Sequence, residues 1–452
     1  MAGNKVVIIG AGCAGLSAAY TLKKQGVDFV VYEGTGEVGG RCRTEMEDGY
    51  EFFSGAGSTE PQWATTFEYL KDFGLEDRVY SIQKQRYGFV RNAKIRTVFM
   101  GGGFLDFLRT LPENIRFFFT GFPLATYPQI LKAMSAISKQ MKKVDTQTHN
   151  FEALSEISEM STEEFVLKNG GPLANHWFFH SFLSMMVLAQ PKDISIAHPI
   201  SLFSLMKGMR SMKGGLGAIT AALYEQVKLN VRLNTPVKKV VIKDGKITGV
   251  ETRDGFVEAD QVICAVDAFV ARQLIPDLPE GMRKPLEKCQ YSSTYYYQFG
   301  LEKPYIDPTD TPMFVVVMPP STDTIIDFMS LGSASLEKPV VIVPTRGWED
   351  EKLVNLTPEQ RRELVLKEVR RFVPDFPEPK ITKCYRWARA VNTEPPGQYN
   401  AIQDLLKNHM DDVSGLYLAG EYLFLIACTE GAMATGKSAA EKVVDDLRNE
   451  RL

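Results

Sequence analysis

Three glycines near the N-terminus, Gly10, Gly12 and Gly15, have the spacing that binds a nucleotide pyrophosphate. Gly10 permits a tight turn, Gly12 lets the backbone approach the phosphates, and Gly15 brings a helix close to a strand. An acid, Glu33, follows about 20 residues later, where a carboxylate accepts hydrogen bonds from ribose hydroxyls. The pattern predicts a dinucleotide site, and a glycine-rich turn that serves only packing is the alternative.

Two strands and a helix are needed to position these residues. The apolar run Val6–Ile9 is expected to form the first strand, and Phe29–Tyr32 the second strand, which delivers Glu33. The helix between them begins at the glycines, so its unpaired N–H groups and positive dipole end point at the phosphates. This order predicts a Rossmann-like α/β unit.

A second glycine motif, GEVGGRCRT at residues 36–44, follows the acid, and YEFFSGAGS stands at residues 50–58. Together they resemble the FAD enzymes typified by flavin amine oxidases, protoporphyrinogen oxidases and phytoene desaturases. In that family the arginine of the second motif approaches the FAD pyrophosphate, and the next strand and loop run beside the flavin. The resemblance assigns Arg41 to the pyrophosphate, with Arg43 as a second candidate.

Two later segments extend the resemblance. Asp244-Gly245 and Asp254-Gly255 separate β-branched runs, which predicts a meander of hairpins. The family's adenine contact falls there on the backbone of Val237, and a C-terminal strand ending at Glu421 precedes a helix that faces the flavin. The resemblance implies non-covalent FAD, because no cysteine lies at the attachment position. The implied cofactor contacts are Gly10, Gly12, Ala14, Gly15, Glu33, Gly40, Arg41, Gly57, Ser58, Val237, Gly420, Glu421, Thr429, Gly431, Ala432 and Met433.

The expected fold is therefore α/β with two domains. A discontinuous, Rossmann-like FAD-binding domain is predicted at residues 1–80, 206–287 and 406–452, and includes the meander. A mixed α+β substrate domain is predicted at residues 81–205 and 288–405, as in amine oxidases.

Departures from the family pattern bear on the reaction. Tyr296 stands where amine oxidases have a lysine, and Trp387 stands where a tryptophan lies beside the flavin. The aromatic pair that encloses an amine is replaced by Cys428 and, near the second position, Thr393. Tyr296 is a candidate proton partner for oxidising a C–C bond beside a carbonyl, and a pocket-shaping role for it is equally open.

Three functions follow as hypotheses. The first is an FAD-dependent C–C desaturase or oxidase of a cyclic, carbonyl-containing, porphyrinogen-like or polyene-like molecule, with oxygen or a quinone as electron acceptor. The second is an amine or amino-acid oxidase. The third is a non-catalytic protein similar to the Rab escort and GDP-dissociation inhibitor proteins, and the intact glycine, Glu33 and Arg41 set disfavours it.

Composition sets limits on partners. The 452 residues carry a net charge of −3, which gives no electrostatic argument for nucleic acid. The six cysteines lack CxxC spacing, so a cytoplasmic, reduced setting is expected.

The apolar segment 104–134 is interrupted by prolines and has two interpretations: helices that wall a substrate pocket, or an amphipathic lid that contacts a membrane. The oligomeric state stays open.

Two motifs are expected to carry no chemistry. Residues 431–438 match the P-loop pattern GxxxxGK[ST], but too little chain follows them to complete a nucleotide-binding sheet. His176 and His180 have metal-ligand spacing, but no third ligand stands near them in the sequence, so no metal is predicted.

Overall fold

The structure, a computed structural model, describes residues 5–144, 152–206, 208–306, 313–333 and 338–449. In chain order its strands are β1 (Val6–Ile9), β2 (Phe29–Tyr32), β3 (Thr44–Glu47), β4 (Tyr50–Phe53), β5 (Val79–Ser81), β6 (Lys84–Arg91), β7 (Lys94–Gly101), β8 (Arg210–Met212), β9 (Val231–Arg232), β10 (Val237–Lys243), β11 (Lys246–Thr252), β12 (Gly255–Glu258), β13 (Gln261–Cys264), β14 (Thr294–Gly300), β15 (Met313–Val317), β16 (Phe328–Ser333), β17 (Val340–Pro344), β18 (Ile381–Trp387) and β19 (Leu416–Leu418). Its α-helices are α1 (Cys13–Lys24), α2 (Ala64–Asp72), α3 (Phe104–Thr120), α4 (Thr126–Met141), α5 (Thr162–Asn169), α6 (Pro172–Ala174), α7 (His180–Val187), α8 (Ala197–Leu205), α9 (Gly217–Val227), α10 (Ala268–Leu274), α11 (Glu280–Lys288), α12 (Pro358–Phe372), α13 (Gln398–Asp404) and α14 (Thr429–Asn449).

The first sheet is parallel throughout and has the strand order β19-β13-β1-β2-β9. Every residue of β1 is buried, because helices cover one face and the β10–β12 meander with α10 covers the other. The predicted strands and the α1 helix between them are confirmed. The strands of this sheet lie within residues 1–80, 206–287 and 406–452, and the domain boundaries themselves stay a prediction.

The predicted meander is also confirmed. β10, β11 and β12 form an antiparallel sheet joined at the two Asp-Gly turns. Asp244 and Gly245 both have positive φ, of 50° and 72°, which is the backbone geometry that a two-residue hairpin turn needs.

The second sheet has seven strands in the order β18-β14-β17-β16-β15-β6-β7. One face is packed against α12 by a buried apolar cluster that includes Tyr297, Phe299 and Val365. The opposite face points toward the first sheet and the helices α4 to α8. Ser184 of α7 bonds Asp327, which directly precedes β16, so this helical layer contacts the end of the sheet.

The helix α3 runs along the outer edge of this second sheet. The Asn114 side chain accepts from the Phe99 N–H at 2.9 Å and donates to the Phe99 carbonyl at 3.1 Å. It thereby satisfies both free backbone groups of an edge-strand residue in β7. Among the described residues, none of the helices combines the length and hydrophobicity needed to cross a bilayer.

Candidate functional site

The first glycine turn combines two crowded positions with one open position. A Cβ at Gly10 (φ +97°) would lie 2.9 Å from the Ala265 carbonyl oxygen, and a Cβ at Gly15 would lie 1.9 Å from the Gly10 carbonyl oxygen. At Gly12 a Cβ would meet no atom of the described residues within 4 Å. No described side chain caps the α1 helix that starts there, so its first N–H groups face the same open space. These features fit a bound pyrophosphate.

Glu33 is held by the turn it was predicted to serve. Its carboxylate accepts from the backbone N–H of Ala11 at 2.8 Å and from that of Thr35 at 2.9 Å. A Cβ added at the next residue, Gly34, would lie 3.6 Å from the Cβ of Pro236. Glu33 and Val237, the first residue of β10, therefore lie at neighbouring points on the rim of the first sheet, as an adenosine site requires.

The second glycine turn is fastened to the first. The Gly39 N–H donates to the Ala11 carbonyl at 2.8 Å, and a Cβ at Gly40 would lie 3.7 Å from the Gly12 Cα. Ser54, which sequence reasoning missed, closes the turn: its hydroxyl accepts from the Arg43 N–H and donates to the Gly40 carbonyl. A serine in a loop carries no distinctive sequence signal, so this role could not be anticipated.

The two arginines of this turn have different surroundings. Arg41 donates to Glu421 at 2.7 Å and to the Ala390 carbonyl at 3.0 Å. Burial opposes the charge on Arg41, but Glu421 outweighs it and the pKa of Arg41 lies above its usual value. Arg43 instead forms ion pairs with Glu37 and Glu45. Arg41 therefore contacts Glu421, another predicted cofactor residue, whereas Arg43 pairs with acids of its own segment, and the assignment of Arg41 to the pyrophosphate stays a prediction.

The C-terminal contacts converge on the same place. Gly420 (φ +156°) donates its N–H to the Thr435 hydroxyl at 3.0 Å, which joins the end of β19 to α14. The Met433 carbonyl accepts from the buried Ser17 hydroxyl of α1 at 2.7 Å. The α14 helix thus packs against the start of α1, which begins at the first glycine turn. The predicted contacts in their first turns are Thr429, Gly431 and Ala432 of α14 and Ala14 of α1.

The P-loop-like letters lie inside α14 rather than in a loop. A Cβ at Gly436 would lie 2.0 Å from the Ala14 carbonyl oxygen, so this glycine serves the packing of α14 on α1. Glu430 accepts from the N–H groups of Thr65 and Thr66 at 2.9 and 2.8 Å, and so caps helix α2. The sequence motif gave no indication of this capping role.

Two side chains, those of Gln298 and Trp387, hydrogen-bond to the backbone of residues 53 and 54 and fix the segment before Gly57 and Ser58. The Gln298 amide donates to the Phe53 carbonyl at 2.6 Å and accepts from the Phe53 N–H at 3.0 Å. The Trp387 indole N–H donates to the Ser54 carbonyl at 2.7 Å. A Cβ at Gly57 would meet none of the described atoms within 4 Å, so the loop that follows borders open space.

Tyr296 lies between Gln298 and Trp387 on the second sheet. It shares a face of β14 with Gln298 two residues along, and it pairs with Tyr385 of β18 and Pro344 of β17. Burial raises the pKa of Tyr296. Its hydroxyl has no hydrogen-bond partner in the part of the chain that the structure describes. The hydroxyl is therefore protonated near neutral pH and free to donate to a ligand.

The face of the second sheet that carries Tyr296 is less tightly covered than the opposite face. Apart from Gln298, which bonds Phe53, and Pro344, cross-strand pairs place eight side chains at its centre, on β6 and β14 to β17. Six of the eight are half-buried rather than buried. None of the eight carries a charge: Tyr87, Phe89, Tyr296, Phe328, Ser330 and Ile342 are half-buried, and Val315 and Val317 are buried. We call these eight side chains the cavity face.

Thr393 and Cys428, which stand where the family has its amine-enclosing aromatic pair, make contacts of other kinds. Thr393 is buried, and its N–H donates to the Gln290 carbonyl at 2.9 Å. Cys428 accepts from the Gly431 N–H at 3.3 Å, and burial raises its pKa. Beside them Glu394 (φ +50°) lies 3.1 Å from the buried His198 ring. That pair was also missed, since the two residues are far apart in sequence.

His176 and His180 have separate roles. His176 bonds the Ser321 hydroxyl at 3.0 Å, whereas His180 packs edge-on against Trp348. Burial lowers the pKa of His180 to about 3. Within the described residues, no group of three or more metal-ligating side chains is present.

The chain matches the sequence profile of the flavin containing amine oxidoreductases over residues 13–444. An L-amino-acid oxidase from Protobothrops flavoviridis is 25% identical over 312 residues, which cover 64% of this chain and 57% of that relative. The chain thus spans little more than half the length of the relative.

Solved structures agree with the predicted fold. Cyclohexylamine oxidase from Brevibacterium oxydans has a TM-score of 0.75 at 17% identity, covering 99% of this chain and 100% of that chain. A protein described as a protoporphyrinogen oxidase from Exiguobacterium sp. has a TM-score of 0.74 at 18% identity, covering 99% and 100%. The fold is the amine-oxidase fold, with an FAD-binding and a substrate-binding part. The profile match over most of the chain shows that the protein belongs to the flavin containing amine oxidoreductase family, and its cofactor is FAD.

Proposed function

We propose that the protein is an FAD-dependent oxidoreductase that desaturates a C–C bond next to a carbonyl group in an apolar substrate. Cyclic ketones are substrates of this kind. Porphyrinogen-like and polyene-like molecules, which the family resemblance also allows, have no carbonyl at the oxidised bond and would not use this donor. The observation that carries the proposal is the cavity face, which is uncharged and presents a phenol, Tyr296, without a partner among the described residues.

None of the eight cavity-face side chains is charged, and the nearest cation along the sheet is Arg96 of β7, which pairs with Phe89 at the edge of the face. This distribution of charge bears on the candidate substrate classes. An amino-acid carboxylate needs a cation or several N–H donors when it leaves water, because a buried unpaired charge is costly. An ammonium group needs an anion or an aromatic cage, so the case against amines rests on Cys428 and Thr393, which stand where the family has its aromatic pair. A neutral ring or chain with one carbonyl needs only apolar contact and one hydrogen-bond donor.

Tyr296 supplies that donor. Because its pKa is raised, its neutral hydroxyl can donate to a substrate carbonyl oxygen. Donation polarises the carbonyl and acidifies the neighbouring C–H, which would lose its proton to a water molecule. The next C–H along would give its hydride to FAD, and a C=C bond would form between the two carbons. Phe89, Phe328 and Ile342 would hold the substrate and exclude water.

The FAD supplies a hydride acceptor when bound. Gly12 and the start of α1 would hold the pyrophosphate together with Gly40 and Arg41, and Glu33 would hold the adenosine ribose. Trp387 and residues 54–58 would border the flavin ring. No covalent attachment is expected, and the electron acceptor is oxygen or a quinone.

An amine or amino-acid oxidase is the second candidate. The L-amino-acid oxidase relative and the cyclohexylamine oxidase fold favour it. The non-catalytic alternative predicts a colourless protein that takes up no FAD on reconstitution.

Anaerobic reduction of the bound flavin distinguishes these candidates. The purified yellow protein is mixed with a cyclic ketone, cyclohexylamine, putrescine or L-leucine, and the loss of flavin absorbance is followed. We expect the ketone to bleach the flavin at least about tenfold faster than the others, a barrier difference of about 1.4 kcal/mol. Faster bleaching by an amine or by leucine would replace the desaturase assignment. Reoxidation with oxygen or a soluble quinone then identifies the acceptor.

A further inference from the structure

The helix α3 exposes most of its apolar side chains to solvent instead of burying them against the protein. Its apolar side chains point away from the body of the molecule. Seven of them are 47% exposed or more, and three reach 80% (Leu105), 73% (Phe104) and 62% (Phe119). We call this set the α3 apolar face: Phe104, Leu105, Phe107, Leu108, Ile115, Phe118 and Phe119.

Three polar side chains of α3, Asp106, Glu113 and Asn114, face inward. Glu113 forms an ion pair with Arg86 at 3.0 Å, and Asp106 forms one with Lys84 at 2.8 Å. Asn114 bonds both backbone groups of Phe99, as described for the edge of β7. These contacts fix the rotation of the helix about its axis. The outward direction of its apolar residues is therefore built in by the packing of α3 on the sheet.

Such an arrangement is unfavourable in water. A surface helix normally turns its apolar stripe to the core, because apolar surface removed from water contributes roughly 25 cal/mol per Å². Contiguous exposed apolar patches of this kind mark interaction sites on soluble proteins. The helix α4 is the contrasting case, since its apolar Ala133 and Ile137 are fully buried.

The charge of this region indicates which partner covers it. Residues 101–143 contain six Lys and Arg against two Asp and Glu, a net of +4, whereas the whole chain carries −3. The remainder of the chain therefore carries −7. Both acids in the segment are already paired with Lys84 and Arg86. Arg109 and Arg116 are exposed at the margin of the apolar face, where long basic side chains reach lipid phosphates.

A second copy of the chain fits this surface less well. A two-fold interface would place the +4 segment of one copy against the same segment of the other, and like charges across an interface cost affinity. An anionic bilayer instead matches both the apolar side chains and the surrounding positive charge.

We infer that the α3 apolar face docks the protein on an anionic lipid bilayer, with α3 lying in the interfacial plane. The inner side of the same helix reaches the cavity face, because the ring of Phe117 lies 5.6 Å from that of Phe89. The ring of Phe122, two residues beyond the helix, lies 4.8 Å from it. Docking would bring one end of the cavity to the membrane, where apolar substrates concentrate.

Vesicle co-sedimentation of the holoenzyme tests the inference. Phosphatidylcholine vesicles, with and without added phosphatidylglycerol, are compared at low and high salt. We expect binding to the anionic vesicles that weakens with salt. The triple variant Phe104→Gln, Leu105→Gln, Phe119→Gln should reduce binding at least about tenfold, because three inserted side chains lose their apolar contact.

A matched control removes three exposed apolar side chains elsewhere: Leu229→Gln, Phe256→Gln and Val354→Gln, which are 84%, 56% and 57% exposed. This control should bind like the parent protein. Flavin absorbance per protein checks that every variant is folded. Parent protein that stays in the supernatant, or equal loss in both triple variants, would overturn the inference. So would a dimer in sedimentation velocity that only the α3 variant dissociates.

Discussion

The two glycine turns at residues 10–15 and 36–44, which we call the cradle because they are predicted to hold the nucleotide, differ from the cavity face in how their positions are determined. In the cradle, backbone turns do the positioning, and two of its glycines leave no room for a single extra carbon. The cavity face is a set of side chains from five strands, most of them half-buried. Substitutions at Gly10 or Gly15 should therefore destabilise the protein strongly. Substitutions on the cavity face should instead alter the reaction and leave the protein folded.

The largest effect is expected at Gly15. The Gly15→Ala substitution places a methyl group 1.9 Å from the Gly10 carbonyl oxygen, so α1 must move away from β1. We expect a loss of unfolding free energy of more than about 4 kcal/mol, or no folded protein. Thermal unfolding of the apoprotein measures this.

Gly12→Ala is the matched control, because its methyl group meets no atom of the described residues. The apoprotein should unfold at the parent temperature while FAD retention falls sharply. A Gly12→Ala protein that keeps full flavin occupancy would remove the pyrophosphate from this turn.

Arg41→Ala comes next. It removes a cation from the pyrophosphate position and leaves the buried Glu421 carboxylate without its ion-pair partner. We expect the dissociation constant of FAD to rise about 10- to 100-fold, and stability to fall by roughly 3 kcal/mol. Arg43→Ala is the comparison, since Arg43 pairs with Glu37 and Glu45, and equilibrium dialysis against FAD measures both variants. Equal losses would contradict the distinction between the two arginines. Glu33→Ala should also weaken FAD retention.

A titration effect is expected inside the substrate-binding part. Burial raises the pKa of Asp327 to about 6. The folded protein thus binds this proton more tightly than the unfolded chain, and the stabilisation is present at low pH and lost as the pH rises through about 6. We expect roughly 2–3 kcal/mol of unfolding free energy to disappear between about pH 4 and about pH 7.

Asp327→Asn should flatten that pH dependence, as followed by urea unfolding. Asp323→Asn, an exposed carboxyl in the same loop, is the control. An unchanged slope in the Asp327→Asn variant would mean that the carboxyl does not titrate in this range.

The smallest effect is expected at Tyr296. Tyr296→Phe should keep FAD bound and slow flavin reduction about tenfold, because the carbonyl loses its donor. Tyr295→Phe, on the opposite face of the same strand, should reduce at the parent rate. An unchanged rate in Tyr296→Phe would make that residue part of the pocket wall.

Sequence reasoning predicted the strands and the helix around the first glycine turn because their geometry is local. The glycine spacing, the strand on each side and Glu33 lie within one short stretch, and each residue type has one backbone use there. The hairpin at Asp244-Gly245 is predictable for the same reason.

Contacts between residues that are far apart in the sequence could not be predicted. Glu430 caps α2, which is hundreds of residues away in sequence, and Ser54 and Gln298 act through backbone groups of other segments. The pattern of α3 identifies an amphipathic helix but not which side faces the protein. That direction follows from Asn114, Glu113 and Asp106, whose partners lie on another element.

The amide of Asn114 has a consequence for solution behaviour. An edge strand with free N–H and C=O groups can recruit a strand from another molecule and start a growing assembly. At Phe99 both groups are already bonded, so the outer boundary of the seven-stranded sheet is closed to such addition at that residue. Exchanging Asn114 for alanine would reopen it, and visible turbidity on concentration would be the sign.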